Sequence, residues 1–312
     1  MAVWDKQPLI VIGGPTASGK TAASILLAQK FNGEIICADS MQIYKKLDIG
    51  TAKVTQEEMQ GIPHHMVGIL EPDQIFSVAD YVKQANFCIQ KIVSKGKLPL
   101  LVGGTGLYIE SLVSGVEFHE QKPAPEIRNR LEEKAAELGK EALHAELARI
   151  DPEYAKNVHP NNTGRVIRAL ELYYSSGITM SEQRERSLPQ EPPYNALVLC
   201  MDWPREILYQ RIDVRVDMML GQGLLREAEM VWKNAECYKT AAQAIGYKEF
   251  FPYFEEEDTL ENCVAKLKQS SRNYAKRQLT WFRRMKNIVW IDAQSRDALE
   301  TAADIVKNHL GK

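Results

Sequence analysis

A glycine-rich segment from Gly14 to Thr21 has the residue types and spacing of a phosphate-binding loop. It reads GPTASGKT and fits G-x-x-x-x-G-K-[ST] at every fixed position. Backbone N–H groups of such a loop point together at the start of a helix and favour an anion. Lys20 adds a positive charge, and Thr21 adds a hydroxyl suited to Mg²⁺. The pattern predicts a phosphate site, but it does not identify the phosphate as a nucleotide's.

A second candidate is Asp39, at the end of the apolar stretch EIICADS. P-loop NTPases normally hold Mg²⁺ with an acid after a further strand, but the best candidate, LPLLVGGTGLY, instead ends in glycines and Thr105. Open α/β sheets place their active sites at the carboxyl ends of their strands. Asp39 is therefore a candidate metal ligand, ribose-orienting group or general base, and the capping of a turn is the alternative.

Positive charge is concentrated in two further places. Arg205, Arg211 and Arg215 follow CMDWP, and the spacing of the last two puts them on one helix face, where they would neutralise a transferring phosphate or form surface salt bridges. The segment 264–286 carries eight Lys or Arg and no acid, with aromatic residues interleaved. A solvated helix face normally mixes acids with bases, so this segment favours a phosphate-backbone partner.

Elements that would position these residues alternate along the first third of the chain. Strands are predicted at PLIVIGG, EIICADS, LPLLVGGT, NALVLCMDW and NIVWIDA, with helices after the first two. This order predicts a doubly wound parallel α/β sheet. Between about 119 and 190 the pattern is helical and charged, without strands. We therefore expect a core domain of residues 1–118 plus 191–312, and a helical insertion at 119–190.

Composition excludes several classes of protein. The 312 residues are 45% hydrophobic and 26% charged, with a net charge of −2, and no apolar run approaches 18 residues. There is no signal-peptide pattern, and the five cysteines are scattered without a CxxC pair. The six histidines show no metal-binding spacing, so His64 and His65 are expected to be structural. We expect a cytoplasmic monomer with reduced cysteines, no membrane contact and no obligate protein partner.

Several longer motifs carry a resemblance to a known family. They are GGPTASGKT, ADSMQIYKKLDIGTAK, PHHMVGILEP, PLLVGGTGLYIESL, RVIRALE, QAIGYKE and AKRQLTWFRR, in order along nearly the whole chain. With them the sequence resembles the tRNA dimethylallyltransferases, which are similar in fold to nucleotide kinases. The resemblance implies that the loop holds the diphosphate of dimethylallyl diphosphate. It also implies transfer of the dimethylallyl group to the exocyclic amine of the adenosine at tRNA position 37, with Mg²⁺ as cofactor.

The resemblance also implies roles for individual residues. Asp39 is the implied general base, and Lys20, Thr21 and Arg215 would assist the departure of the diphosphate, with Thr21 near Mg²⁺. The implied diphosphate contacts are Gly14, Pro15, Thr16, Ala17, Ser18, Gly19, Lys20, Thr21 and Arg215. The implied tRNA contacts are Asp39, Ser40, Met41, Gln42, Thr105, Arg128, Gly164, Arg165, Arg168, Gln243, Gly246, Tyr247, Lys248, Lys276, Arg277, Gln278, Trp281 and Arg283. Gly164 and Gln243 depart from the residues that many relatives carry there.

Two other functions share part of this pattern. A small-molecule or nucleoside kinase would share the loop, the arginines and the fold, but it would not require the basic segment or the helical insertion. A P-loop RNA-binding protein without catalytic activity would tolerate replacement of Asp39. The partners expected from the resemblance are the tRNA anticodon stem-loop and dimethylallyl diphosphate.

Overall fold

A parallel sheet of six strands forms the centre of the molecule in a computed structural model that describes residues 6–118 and 125–311. The strands are β1 (Gln7–Gly13), β2 (Gly33–Cys37), β3 (His64–His65), β4 (Leu98–Val102), β5 (Tyr194–Asp202) and β6 (Ile288–Asp292). Their order across the sheet is β3-β2-β4-β1-β5-β6. All pairs are parallel, with Ile10 opposite Leu100 on one side and Leu197 on the other. The segments after β1, β2, β4 and β5 therefore emerge at one edge of the sheet.

Fifteen α-helices are assigned within the described residues. They are α1 (Lys20–Phe31), α2 (Gln56–Met59), α3 (Val78–Ser94), α4 (Gly106–Val113), α5 (Pro125–Leu138), α6 (Lys140–Ile150), α7 (Pro152–Ala155), α8 (Thr163–Ser176), α9 (Met180–Ser187), α10 (Arg205–Gly221), α11 (Leu224–Lys233), α12 (Lys239–Ala242), α13 (Phe251–Phe254), α14 (Leu260–Phe282) and α15 (Ala298–His309). A 3-10 helix occupies Lys248–Phe250. None of the described helices combines the length and apolar character needed to span a membrane.

Alternate strand residues bury opposite faces of the sheet. Leu9 and Val11 of β1 pack with α3, α4 and α14, whereas Ile10 and Ile12 pack with α1 and α15. Strands buried on both faces read as continuous apolar runs, which is why the sequence LIVI predicts a buried parallel strand. The predicted doubly wound α/β class is confirmed.

The chain divides into two compact units. One comprises residues 1–113 and 193–312, and the other comprises 114–192. In the second unit, α5 to α9 surround their own core, which includes Leu131, Leu143 and Leu170. The described part of this unit contains no strand, as the charged helical pattern indicates. The expected boundary at residue 119 lies outside the described residues.

Strand β3 is an element that the sequence analysis did not predict. Its two residues are too few to show periodicity, and they pair with Ile35 and Ile36 at the edge of the sheet. His65 contacts the buried carboxylate of Glu34 at 2.8 Å through Nε2, and the amines of Lys95 and Lys97 reach the same carboxylate. Burial alone would raise the pKa of Glu34, but hydrogen bonds from Lys97, His65 and Lys95 outweigh it and lower the pKa to about 2.

Candidate active site

The phosphate-binding loop connects β1 to α1 in a conformation that requires unusual backbone angles. Gly14 and Gly19 have φ of 138° and 92°, and Ala17 has φ of 61°. Residues other than glycine seldom occupy the left-handed region, so the surrounding structure must hold Ala17 there. The N-cap of α1 is Gly19, which has no side chain to accept hydrogen bonds from the first N–H groups of the helix. The Ser18 hydroxyl is buried without a hydrogen-bond partner within the described structure. The loop thus presents donors suited to an anion.

Two cations lie within the loop region. Lys20 Nζ donates to the carbonyl of Pro15 at 2.6 Å. Burial, and then repulsion from Arg215, lower the pKa of Lys20 to about 8, although Asp39 acts in the opposite direction. Burial likewise lowers the pKa of Arg215, whose Nη1 lies 3.5 Å from Thr16 Oγ1. Two cations near the same loop repel each other unless an anion lies between them, so this charge arrangement suits a multiply charged phosphate.

Helix α10 supports the loop from outside. Arg211 Nε donates to the carbonyl of Ala17 at 2.8 Å, and its guanidinium stacks 4.4 Å above the ring of Trp203. Trp203 Nε1 donates to the carbonyl of Ser18 at 3.0 Å. Arg211 and Arg215 therefore share a face towards the loop, as their spacing predicts. Arg205 instead donates to the hydroxyl of Tyr209.

Asp39 follows β2 and is partly exposed. Its Oδ1 accepts the backbone N–H of Met41 at 2.9 Å and of Gln42 at 3.3 Å, which is the turn-capping geometry. No hydrogen bond to Oδ2 is present among the described residues. Capping therefore uses one carboxylate oxygen and leaves the other available to accept a proton.

The loop after β4 packs directly on the loop after β2. The hydroxyl of Thr105 accepts the N–H of Ser40 at 3.0 Å, and the N–H of Thr105 donates to the carbonyl of Ala38 at 3.1 Å. A Cβ at Gly103 would lie 2.1 Å from that carbonyl oxygen, so this close approach requires glycine. Thr105 is thus fixed beside the residues that flank Asp39.

The residues just after Asp39 have mixed environments. Ser40, Met41 and Gln42 are each partly exposed. The Gln42 amide nitrogen donates to the carbonyls of Thr51 and Ala52 at 3.1 Å each. Gln42 therefore braces the 48–53 turn, while Ser40 and Met41 line the same edge of the sheet as Asp39.

Three of the residues that the resemblance places at tRNA are instead enclosed by protein. Gln278 is 5% exposed, and Tyr247 is fully buried with its hydroxyl donating to Glu227 at 2.8 Å. Gly246 is buried too, and its N–H donates to Glu249. These positions differ from the expectation because each side chain or backbone group is already used within the fold. Gln243 and Lys248, in the same segment as Gly246 and Tyr247, are exposed.

Tyr247 and Glu227 together hold the 48–50 turn, a role that the sequence analysis missed. The Glu227 carboxylate accepts the backbone N–H groups of Asp48, Ile49 and Gly50 at 2.8 to 3.1 Å. A Cβ at Gly50 would lie 2.6 Å from the Tyr247 ring. The contacting segments are far apart along the chain, so no local sequence signal reveals this contact.

The basic segment is helical to Phe282 and carries its charges on two faces. Lys276 and Arg277 on α14 are exposed, as is Arg283 just beyond its end. Trp281 lies between them, partly buried against Gly106 with its Nε1 unpartnered in the described structure. Two other bases are paired: Lys268 contacts Asp217, and Arg272 contacts Asp213. Part of the charge of this segment is therefore neutralised within the fold, by acids of α10 that lie outside the segment.

In the helical unit, Arg128 and Arg168 meet at one buried carboxylate. Their Nη1 atoms lie 3.8 and 3.0 Å from Glu171 Oε2. Both arginines are about half exposed. Gly164 and Arg165, which lie on α8 with Arg168, are exposed as well. A Cβ at Gly164 would meet no atom within 4 Å. The structure thus brings Arg128 and Arg168 together at Glu171, and Arg128 Nε also pairs with Glu132 at 3.0 Å.

Two cavities on the surface lie away from the phosphate-binding loop. Surface cavities of about 690 and 590 Å³ lie beside β3, lined by residues such as Phe87 and Lys53. Neither is lined by the loop or by Asp39. No group of three His, Cys, Asp or Glu side chains with metal-binding geometry occurs within residues 6–118 and 125–311.

Comparison with known proteins identifies close relatives. The family model described as IPP transferase matches residues 42–285. A tRNA dimethylallyltransferase from Bacillus velezensis is 51% identical over 287 residues, covering 92% of this chain and 91% of the relative. One from Bacillus subtilis is 49% identical over 305 residues, covering 98% and 97%.

Solved structures agree with these relatives. The tRNA isopentenylpyrophosphate transferase of Bacillus halodurans gives a TM-score of 0.74 at 41% identity, covering 98% of this chain and 97% of the other. A eukaryotic dimethylallyltransferase acting on tRNA gives 0.82 at 32% identity, covering 97% and 80%.

Proposed function

Because the chain belongs to the IPP transferase family, we propose that it transfers a dimethylallyl group from dimethylallyl diphosphate to tRNA. The acceptor is the exocyclic N6 amine of adenosine 37, next to the anticodon, and the products are the dimethylallyl nucleoside and diphosphate. The observation that carries this proposal is the juxtaposition of the glycine-rich loop, two partly buried cations and a carboxylate with a free oxygen at one edge of the sheet.

The diphosphate occupies the loop from Gly14 to Thr21. Its charge is balanced by Lys20 and Arg215, whose lowered pKa values reflect their burial. The Ser18 hydroxyl provides a further donor. As the bond from the prenyl carbon to diphosphate oxygen breaks, negative charge grows on that oxygen, and donors already fixed in place stabilise it.

The residues present fit a Mg²⁺ ion that arrives with the diphosphate. Enzymes that transfer prenyl groups from diphosphates generally use a divalent metal. Mg²⁺ prefers oxygen ligands and is commonly bound through one or two protein groups together with substrate phosphates and water. Thr21, in the first turn of α1, offers a hydroxyl oxygen. When bound, the ion supplies further charge stabilisation to the leaving group.

Asp39 removes the proton from the acceptor amine. The amine is a poor nucleophile because its lone pair is delocalised into the adenine ring. The free Oδ2 of Asp39 accepts the proton as the nitrogen bonds to the prenyl carbon, while Oδ1 stays engaged by Met41 and Gln42. General-base assistance of this kind contributes about 10²–10⁴-fold in rate. The adenine leaves its stack to reach the cleft, at a cost of a few kcal/mol.

Exposed basic and polar groups bind the tRNA anticodon stem-loop. On the core unit these are Lys276, Arg277 and Arg283, with Gln243 and Lys248. On the helical unit, which we propose as a tRNA-binding insertion, Arg128, Arg165 and Arg168 contribute with Gly164. Ser40, Met41 and Thr105 lie beside Asp39 and contact the nucleotides around the target adenosine. Such contacts to phosphate set the orientation of the RNA.

Paired reactions test this proposal against a kinase. One contains Mg²⁺, unmodified tRNA and radiolabelled dimethylallyl diphosphate, and the other replaces the labelled compound with labelled ATP. We expect label to move from the isoprenoid into tRNA while ATP remains intact. Consumption of ATP with no prenylated tRNA would support the kinase instead. Tight tRNA binding with no transfer in either reaction would support a non-catalytic RNA-binding protein.

A further inference from the structure

We propose that Gln278 is a positioning residue that holds the diphosphate-binding loop and the 103–105 loop in their reactive arrangement. This inference rests on the function proposed above. Gln278 lies on α14, whose exposed face we propose to bind tRNA, but its own side chain is given a role inside the protein.

The Gln278 amide forms a bridge between two distant segments of the chain. Its Oε1 accepts the N–H of Thr16 at 3.0 Å, and its Nε2 donates to the carbonyl of Gly104 at 3.0 Å. Thr16 lies 262 positions away and Gly104 lies 174 positions away. The reverse orientation of the amide would set two donors against each other at Thr16, so the network fixes the orientation.

The bridge requires glutamine at one end and glycine at the other. A glutamate would still accept from Thr16 but would face the carbonyl of Gly104 with a second acceptor. A Cβ at Gly104 would lie 2.1 Å from Gln278 Nε2, so a larger residue there would displace the Gln278 amide from the bridge. The second glycine of the GGTG motif is thereby explained by its contact with α14.

Each loop in the bridge carries part of the reaction. On one side, Thr16 adjoins Ala17, whose unusual backbone angle must be held by its surroundings. On the other, Gly104 adjoins Thr105, which accepts the N–H of Ser40 beside Asp39. Gln278 therefore links the loop that binds the leaving group to the loops that hold the base.

Tyr274, one turn earlier on α14, lies beside the same connection. Its hydroxyl lies near Thr105 and Gln278, and both side chains act to lower its pKa. Burial, and then the charge of Asp39, raise the pKa of Tyr274, so that the hydroxyl remains neutral and able to donate. The inner face of α14 thus contacts both the 103–105 loop and the phosphate-binding loop, while Lys276 and Arg277 lie exposed.

A positioning role and a tRNA-contacting role for Gln278 predict different kinetic defects when it is replaced. A misplacement of reacting groups by about 1 Å can cost roughly 10²-fold in rate without any change in the groups themselves. We therefore expect Gln278→Leu to lower the single-turnover transfer rate by about 10- to 100-fold, with tRNA affinity within about twofold of wild type. A tRNA contact at this position would instead weaken tRNA binding.

The test compares Gln278→Leu with Gln269→Leu, a matched change at an exposed glutamine of the same helix. Thermal unfolding, tRNA binding and single-turnover transfer are measured for each. The Gln269 variant is expected to match wild type in all three. The inference is overturned if Gln278→Leu retains the wild-type rate, or if its main defect is in tRNA affinity.

Gln278→Glu provides a second readout, which also serves if Gln278→Leu does not fold. A protonated carboxyl can donate to Gly104 while accepting from Thr16, whereas a carboxylate cannot. The rate of this variant relative to wild type should therefore rise as the pH falls, and a flat ratio would overturn the inference. A wild-type protein that transfers no prenyl group would refute the proposed function and this inference with it. If the wild type is active, the proposed function stands and the variants test the role of Gln278 alone.

Discussion

Arg272 on α14 donates a hydrogen bond of 2.6 Å to Asp213 on α10. One turn away, Lys268 pairs with Asp217 at 2.7 Å. These pairs join the two helices that flank the phosphate-binding loop, whereas Lys276 and Arg277 are among the exposed charges of α14. The basic segment therefore contains both structural and RNA-facing cations.

This division predicts which charges determine the salt dependence of tRNA binding. Replacing Lys276 and Arg277 with Gln should reduce the slope of log K against log salt by about one for each phosphate that is no longer neutralised. Replacing Lys268 and Arg272 with Gln should leave the slope nearly unchanged, because these side chains are already paired. Filter binding at several salt concentrations measures both slopes. An equal reduction of slope in the two double variants would refute the assignment.

The lowered pKa of Lys20 predicts that diphosphate binding depends on pH. Its pKa is lowered to about 8 by burial and by Arg215, and a bound anion favours the charged amine. Affinity for inorganic pyrophosphate with Mg²⁺ should therefore decline as the pH rises above about 8, with proton uptake on binding. Calorimetry in buffers of different ionisation enthalpy measures both effects. Lys20→Met is the control for titration of the ligand itself, and the same pH profile in both proteins would contradict the prediction.

Asp39→Asn keeps the shape of the side chain and removes its ability to accept a proton. The side-chain amide oxygen can still accept from Met41 and Gln42, so the turn should persist, but the group cannot take a proton at neutral pH. We expect tRNA affinity near wild type and a transfer rate about 10²–10⁴-fold lower. Single-turnover kinetics beside tRNA binding test this. A rate close to wild type would exclude Asp39 as the base.

The lowered pKa of Glu34 predicts that the protein loses stability in acid. Its pKa is about 2 in the folded protein and about 4.5 when unfolded, so its stabilisation is present above pH 4.5 and declines as the pH falls towards 2. Glu34→Gln should lower the free energy of unfolding at pH 7 by about 1.5–3 kcal/mol, the range for hydrogen bonds to charged groups. Urea unfolding at pH 7 and at pH 3 measures the difference, which should be smaller at pH 3. A difference independent of pH would contradict this account.

Local patterns predict much of the fold and the centre of the site. The buried strand before Gly14 and the helix from Lys20 follow from apolar periodicity and glycine spacing, and both occur as expected. Strand β3 could not be predicted, because two residues carry no periodic signal and owe their pairing to β2. The sheet places Asp39 and Thr105 together because both follow the carboxyl ends of neighbouring parallel strands.

Long-range contacts account for what the sequence could not provide. The motif that contains Gln278 indicates an RNA-facing segment, yet the bridge from Gln278 to Thr16 and Gly104 depends on how α14 packs. Likewise, the acids that neutralise Arg272 and Lys268 lie on another helix, more than 50 positions earlier. Tyr247 is buried by a turn about 200 positions away. Motif matching identifies such residues without assigning their contacts.

The most direct measurement identifies the product nucleoside. Anticodon stem-loop RNAs that carry adenosine or guanosine at position 37 are incubated with the protein, Mg²⁺ and labelled dimethylallyl diphosphate, then digested to nucleosides and analysed by mass spectrometry. We predict N6-dimethylallyladenosine from the first RNA and no labelled nucleoside from the second. Label in neither RNA, or equal label in both, would contradict transfer of a prenyl group to the amine of adenosine 37.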